Sequence, residues 1–323
     1  MSDPATLQIN GTTIDATFAE AFPMKATRLV ITAHTPVWAM HAAVSLTGFA
    51  TSVIGCGCEA GVERTLTGGE TPDGRPGVAV LLFAVSSKEL AKQIERRVGQ
   101  CVLTCPTSAV YGGIDPATSR APLSDWAPLG SGLRFFGDGW QISKMLGDTR
   151  YWRIPVMDGE FVSAETALTV KAVGGGNLIL LARDIDAALA AAEAAVAAMR
   201  KLPNVVMPFP GGIVRSGSKV GSKYKGLSAS TNDAFCPTLT GLSAHSELSP
   251  EVGCVLEIVI DGLTDADVGA AMSAGMAAAT GLGRPAGLLR ISAGNYGGKL
   301  GPYHFHLHSL AAAAAAGLDG SRA

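Results

Sequence analysis

Glu257 lies inside the run CVLEIVI, residues 254–260, where every neighbour is apolar. Alternation along an extended strand sets it beside Val255 and Val259 on one face, with Leu256, Ile258 and Ile260 on the other. A carboxylate among such neighbours loses hydration, which raises its pKa and keeps part of it protonated at neutral pH. A neutral carboxyl can donate a hydrogen bond to an oxyanion developing on a substrate. The same pattern also fits an ordinary carboxylate on an exposed face, or one satisfied at an interface between lobes.

A second stretch with chemical potential is GGIVRSGSKVGSKYKG, 211–226, whose glycines and serines are interleaved with Arg215, Lys219, Lys223 and Lys225. Free backbone N–H groups beside such cations form an anion trap, suited to carboxylates or phosphates. Gly211, Gly212, Ser216, Gly217, Ser218 and Lys219 are its candidate contacts; a solvated, flexible loop is the plainer alternative. A nucleotide-binding P-loop fits poorly. Gly212-x4-Gly217 is followed by Ser218-Lys219, so the lysine is displaced by one, and no helix pattern follows.

Three further features carry weaker signals. The turn cluster ETPDGRPG, 70–77, puts Asp73 and Arg75 at its tip, as a polar claw for a ligand or as a plain hairpin loop. His304, His306 and His308 recur at period two, on one strand face, yet no second element offers further metal ligands. Cys56-x-Cys58 and Cys101-x3-Cys105 lack the paired spacing of a zinc site and read as buried thiols. No nucleophile elbow, His-Glu-x-x-His helix or dinucleotide fingerprint is present.

The elements that must position these residues follow a repeated order. Four helices carry start and stop signals: Thr35-Pro36 to Gly48, Ser86 to Gly99, Asp184 to Lys201, and Thr264 to Gly281. Strand-like runs flank each one: 28–32 and 50–55, 77–85 and 101–105, 177–182 and 204–207, 254–260 and 288–293. The order is βαβ–βαβ, twice. That predicts an α+β protein of two ferredoxin-like split βαβ lobes arising from an internal duplication. TSAVYGG (107–113) and SAGNYGG (292–298) echo each other at the ends of the two halves. The expected division is 1–170 for the first lobe with its connecting hairpins, 171–310 for the second with the inserted loop, and 311–323 for a mobile alanine-rich tail.

With 47% hydrophobic and 16% charged residues in 323, the chain can bury a substantial core. A net charge of −2 gives no basic field for nucleic acid or anionic lipid, so any anion handling is local. The N-terminus shows no charged region followed by an apolar run, and apolar segments such as 187–199 are too short to cross a bilayer. A cytoplasmic protein is expected.

Several long motifs together resemble one family. ETPDGRPG, GQCVLTCPTSAV (99–110), PFPGGIVRSGSKVGSKYKGLSASTN (208–232), EIVIDGL (257–263) and ISAGNYGGKLG (291–301) are similar to formylmethanofuran:tetrahydromethanopterin formyltransferases, as are TFAEAF (17–22) and GFATSVI (48–54). The resemblance runs from about residue 8 to about residue 310. It implies formyl transfer between the amine of methanofuran and N5 of tetrahydromethanopterin, with no metal or prosthetic group. It implies a homo-oligomer, a dimer of dimers, with active sites where subunits meet. On Glu257 it implies a protonated carboxyl that polarises the formyl oxygen. Both carriers end in anionic groups, for which the loop around Ser216–Lys219 and the turn containing Asn295, Tyr296, Gly297 and Lys299 are the candidates. The alanine- and arginine-rich composition points to a bacterial one-carbon-oxidising member, in a complex with hydrolase and accessory subunits. A non-catalytic carrier holding the acidic tail of methanofuran for such a hydrolase is the alternative function.

Overall fold

Two long strands, Phe18–Thr32 and Thr166–Ala182, organise the computed structural model, which describes residues 7–312. They pair antiparallel where they cross, from Ala26 opposite Val170 to Phe22 opposite Gly174. Beyond the crossing each strand enters a different half. In the first, Phe18–Thr32 lies between Gly77–Ala84 and Ala109–Gly112, and Glu59–Leu66 flanks Gly77–Ala84 on the outside. In the second, Thr166–Ala182 lies between Cys254–Gly262 and Leu288–Ser292, and Val205–Val206 flanks Cys254–Gly262. Counted along each half, both give the spatial order second, third, first, fourth. This is the split βαβ sandwich in duplicate, the α+β architecture expected.

Local chemistry explains the helices. Thr35, Ser86, Asp184 and Thr264 each accept an N–H from the first helical turn, on Trp38, Glu89, Ala187 and Asp267. Each such cap contributes about 1 kcal/mol. The helices Pro36–Thr47 and Ser87–Arg97 cover one face of the first half around Leu46, Leu90 and Ile94. Ile185–Met199 and Asp265–Leu282 cover the second around Ala191, Met199 and Met272. Small residues let this second pair approach closely: a Cβ added at Gly275 would sit 2.0 Å from Met199 Cε.

Four local readings of the sequence need correction. The run 50–55 is not a strand: Ser52 caps a short helix, Val53–Cys56, and the strand is the more charged Glu59–Leu66, which carries a bulge between Val62 and Arg64. Likewise 101–105 forms no strand. Val98 and Val102, four apart, keep the helical spacing and continue the second helix as a π-turn over the core, leaving Ala109–Gly112 as the strand. The last helix runs past Gly281 to Leu282, where Gly283, at a φ of +61°, ends it. The two echoing heptapeptides are not equivalent, because Tyr111 lies within a strand whereas Tyr296 lies in the turn after one.

The cores do not divide at a single point in the chain. Ile14, Ala19 and Ala21 pack with the second half's core, since the first part of Phe18–Thr32 pairs with Tyr303–His306. Residues 307–312 are helical, and the remainder of the expected tail lies outside the described residues.

Candidate active site

The second half turns its helix-free sheet face toward a cavity of about 570 Å³. Its floor is set by register. Ile179 pairs with Glu257 on one side and Ser292 on the other, and Asn177 pairs with Val259. The face alternation expected for 254–260 holds, because Leu256, Ile258 and Ile260 are buried in the core while Glu257 and Val259 line the cavity. Ser216, Ser218, Lys219, Val220 and Asn232 form one wall, Asn295 and Tyr296 another, and Ser52 and Glu59 reach in from the first half.

The long insertion is anchored onto the Glu257 strand. Val214 N–H donates to Glu257 O at 2.7 Å, and Glu257 N–H donates back to Val214 O at 2.9 Å. This places Gly217 against the side chain, such that an added Cβ would lie 4.0 Å from Glu257 Oε2. Gly217 adopts a φ of +33°, a region that glycine tolerates best. Burial pushes the Glu257 carboxyl up to about 7. Near neutral pH it is therefore a mixture of acid and carboxylate, and its acid form has a proton to donate.

Asn295 and Tyr296 are held by a residue whose role composition and pattern did not disclose. Glu20 is buried, and its carboxylate accepts N–H bonds from Tyr296 at 2.7 Å, Gly298 at 2.9 Å, Leu300 at 2.6 Å and Gly301 at 2.6 Å. Burial alone pushes this carboxyl up, but the four amides outweigh it and bring it down to about 2. Those N–H groups are consequently spent inside the protein, and an anion at this turn would meet side chains. Asn295 donates to Thr17 Oγ1 and to Phe18 O, both at 3.1 Å. Burial raises the Tyr296 phenol, as do the nearby charges of Glu257 and Glu20.

The other candidates are placed as follows. Lys219 lines the cavity and forms an ion pair with Asp233, holding that carboxyl down to about 2 with help from Ser243. Gly211 borders a neighbouring groove together with Arg215, while Gly212 packs its backbone against Val196 and Met207. Gly297 and Lys299 are exposed and outside the cavity lining. Asp73 and Arg75 belong to a separate network: Arg75 Nε donates to Asp73 at 2.8 Å, and Thr32 and Tyr111 hydroxyls donate to the same carboxylate at 2.7 and 3.0 Å. His304 and His308 are engaged with the carbonyls of Gly301 and Ile14, and the strand ends at His306, so the three imidazoles do not share a face. Asn177, Asn232, Ser292, Glu20 and Glu59 were missed; for Glu20, Asn177 and Ser292 the available signal was a polar residue within a largely apolar strand.

A near-neutral acid at the edge of a polar cavity, with small flexible-backbone residues close by, defines a site for polarising a carbonyl, on a duplicated α+β scaffold. Comparison with known proteins narrows this class. Residues 7–156 match the family model for formylmethanofuran-tetrahydromethanopterin formyltransferase, and residues 159–310 match that for its proximal lobe. The chain belongs to this formyltransferase family. It is 64% identical over 304 residues to the formylmethanofuran–tetrahydromethanopterin formyltransferase of Methylococcus capsulatus, covering 94% of this chain and 99% of that one. It is 52% identical over 308 residues to a subunit of the formyltransferase/hydrolase complex of Methylorubrum extorquens, covering 94% and 96%. Among solved structures it is similar to that bacterial complex with methylofuran, with a TM-score of 0.90, 51% identity and coverage of 95% and 99%. It is also similar to the Methanosarcina barkeri formyltransferase, with a TM-score of 0.85, 44% identity and coverage of 94% and 100%. Among the described residues no helix is long and apolar enough to cross a membrane.

Proposed function

We propose that this protein moves a formyl group between the amine of methanofuran and N5 of tetrahydromethanopterin, with Glu257 as the group that stabilises the reacting oxygen. The two carriers are its co-substrates. One observation carries the reading: the Glu257 carboxyl, raised to about 7 by burial, faces the cavity shared by the Ser216–Lys219 loop and the Asn295–Tyr296 turn. Amine attack on a formamide produces a tetrahedral oxyanion, and a donor aimed at that oxygen strengthens its bond as charge develops. Holding both carriers in one cavity supplies proximity.

The anionic ends of the carriers fall to Ser216, Gly217, Ser218 and Lys219 along one wall, and to the Tyr296 side chain at the other, with Lys299 exposed beyond it; the Asn295 amide, donating to Thr17 and Phe18, holds that turn in place. Similarity to the relative from the Methylorubrum complex supports assembly with hydrolase and accessory subunits. The six cysteines are all unpaired, which fits the reducing cytoplasm.

The test uses purified protein treated with chelator and mixed with formylmethanofuran and tetrahydromethanopterin. Appearance of formyl-tetrahydromethanopterin absorbance is expected. No turnover from folded protein, alone and again with hydrolase subunits, would favour a carrier role instead.

A further inference from the structure

Asn177 stands on the floor of the cavity, 7% exposed, in the strand Thr166–Ala182. It lies two positions from Ile179, the residue paired directly with Glu257. Its side-chain amide closes on one residue of the opposite wall from both sides. Gly294 N–H donates to Asn177 Oδ1 at 2.6 Å, and Asn177 Nδ2 donates to Gly294 O at 3.1 Å. These two bonds fix which way the amide points, since an N–H needs the oxygen and a carbonyl needs the NH2. A longer contact, 3.4 Å, runs from Nδ2 to Gly175 O. A side chain engaged in this way acts through the backbone it holds.

The strand is shaped to bring the amide there. Residues 174–176 are three glycines, and the register against Cys254–Gly262 shifts between Val173 and Gly176. Gly175 takes a φ of +91° within this bulge, and its N–H donates to Asp261 Oδ1 at 3.0 Å. A bulge re-aims the side chains that follow it, and here Asn177 shares the cavity face with Ile179.

Asn177 and Glu20 hold the two ends of one turn. The Glu20 carboxylate takes the amides of Tyr296, Gly298, Leu300 and Gly301, and Asn177 takes Gly294. Between the anchors lie Asn295 and Tyr296, which line the cavity, and the Tyr296 ring packs near Phe22 with centroids 6.1 Å apart. Glu20 ties the turn to the strand Phe18–Thr32, whereas Asn177 ties it to the strand alongside Glu257. We propose that Asn177 is a positioning residue for formyl transfer: through Gly294 it sets the Tyr296 wall against the Glu257 strand, and thereby the alignment of the two carriers.

This inference rests on the acyl-transfer reading, and the experiment keeps the two apart. Formyl transfer by the wild-type protein tests that reading first; its absence overturns both. With an active wild type, Asn177→Ala removes the grip on Gly294 and leaves Glu257 and its backbone bridge to Val214 in place. Its kcat/KM is expected to fall about 100-fold, the scale of a misplacement of about 1 Å between reacting groups. The alkaline limb of the pH profile should stay where the wild type has it, because the acid itself is untouched. Deuterium exchange at the Gly294 amide should quicken about tenfold, while residues 254–260 keep their protection. A folded Asn177→Ala enzyme with kcat/KM within about twofold of wild type overturns the positioning role and leaves the transferase standing. A displaced alkaline limb also overturns it, since the residue would then act on the titration of Glu257. If Asn177→Ala does not fold, Asn177→Asp decides by the same criteria: it has the same shape and keeps the acceptor for Gly294 N–H, but sets a carboxylate oxygen against Gly294 O. Failure of both variants to fold would assign Asn177 to the fold and not to the site, which overturns the proposal as well.

Discussion

Glu257→Gln tests the central chemistry, and its signature lies in the pH profile as much as in the rate. The carboxyl titrates at about 7 because burial disfavours its charged form. Only the neutral form donates to the oxyanion, so kcat/KM should be level below pH 6 and decline about tenfold per unit above pH 7. At pH 9 the enzyme would retain about 1% of its plateau. Removing one oxyanion donor costs about 10²–10³ in kcat. Glutamine keeps a weak N–H donor and belongs at the 10² end; alanine, which leaves none, belongs at the 10³ end. Glutamine does not titrate, so the alkaline decline should vanish and the residual activity should stay flat. The assay is formyl-tetrahydromethanopterin formation at saturating and limiting carrier across pH 5.5–9. A Glu257→Gln enzyme that keeps the wild-type alkaline limb would place the titrating group elsewhere and refute the assignment.

Three further perturbations separate positioning from chemistry. Glu20→Gln replaces two acceptor oxygens by one, so the amides of Tyr296, Gly298, Leu300 and Gly301 should exchange with deuterium about tenfold faster or more. Because the Glu20 carboxyl is held down to about 2, its contribution is present above the ordinary value of 4.5 and disappears as pH falls toward 2. Amide protection of this turn should therefore weaken in that window before global acid unfolding. Gly301→Ala places a Cβ 2.2 Å from the Ala21 carbonyl oxygen, a backbone atom that cannot yield locally; a loss of about 2–3 kcal/mol in urea unfolding is expected. Gly217→Ala puts a methyl near Glu257 and strains a φ of +33°, so kcat should drop about tenfold, with the thermal midpoint lowered by the equivalent of about 1–3 kcal/mol of strain.

The sequence disclosed this site unevenly, for reasons visible in particular residues. Glu257 was legible because it is an acid alone among β-formers, and a strand exposes its pattern at period two. The caps at Thr35, Ser86, Asp184 and Thr264 were equally plain, since their signal is local. The strand Glu59–Leu66 was hidden: its charged residues serve contacts that only the folded chain creates, such as Glu63 with Arg28 and Arg64 with Glu70. The apolar run 50–55 has the more strand-like composition of the two, which is why pattern alone favours it. Glu20 could not be recognised as the support of the 294–301 turn, because its partners lie more than 270 positions away.

Duplication explains why one half carries the chemistry. The third strand of the first half, Gly77–Ala84, is buried throughout and consists of apolar residues and glycine, as a strand covered on both faces requires. Its counterpart, Cys254–Gly262, is covered by helices on one face only, and on the other it carries Glu257 and Asp261. An acid there costs stability unless it is protonated or hydrogen-bonded. The fold tolerates two because the chain reaches each of them: Gly175 N–H donates to Asp261 at 3.0 Å, and the long insertion pairs its backbone with Glu257 at Val214. The two halves repeat one topology, and the site forms where that symmetry is broken: by an insertion at 208–252, by acids on one strand face, and by an N-terminal segment that leaves the first core to support the second.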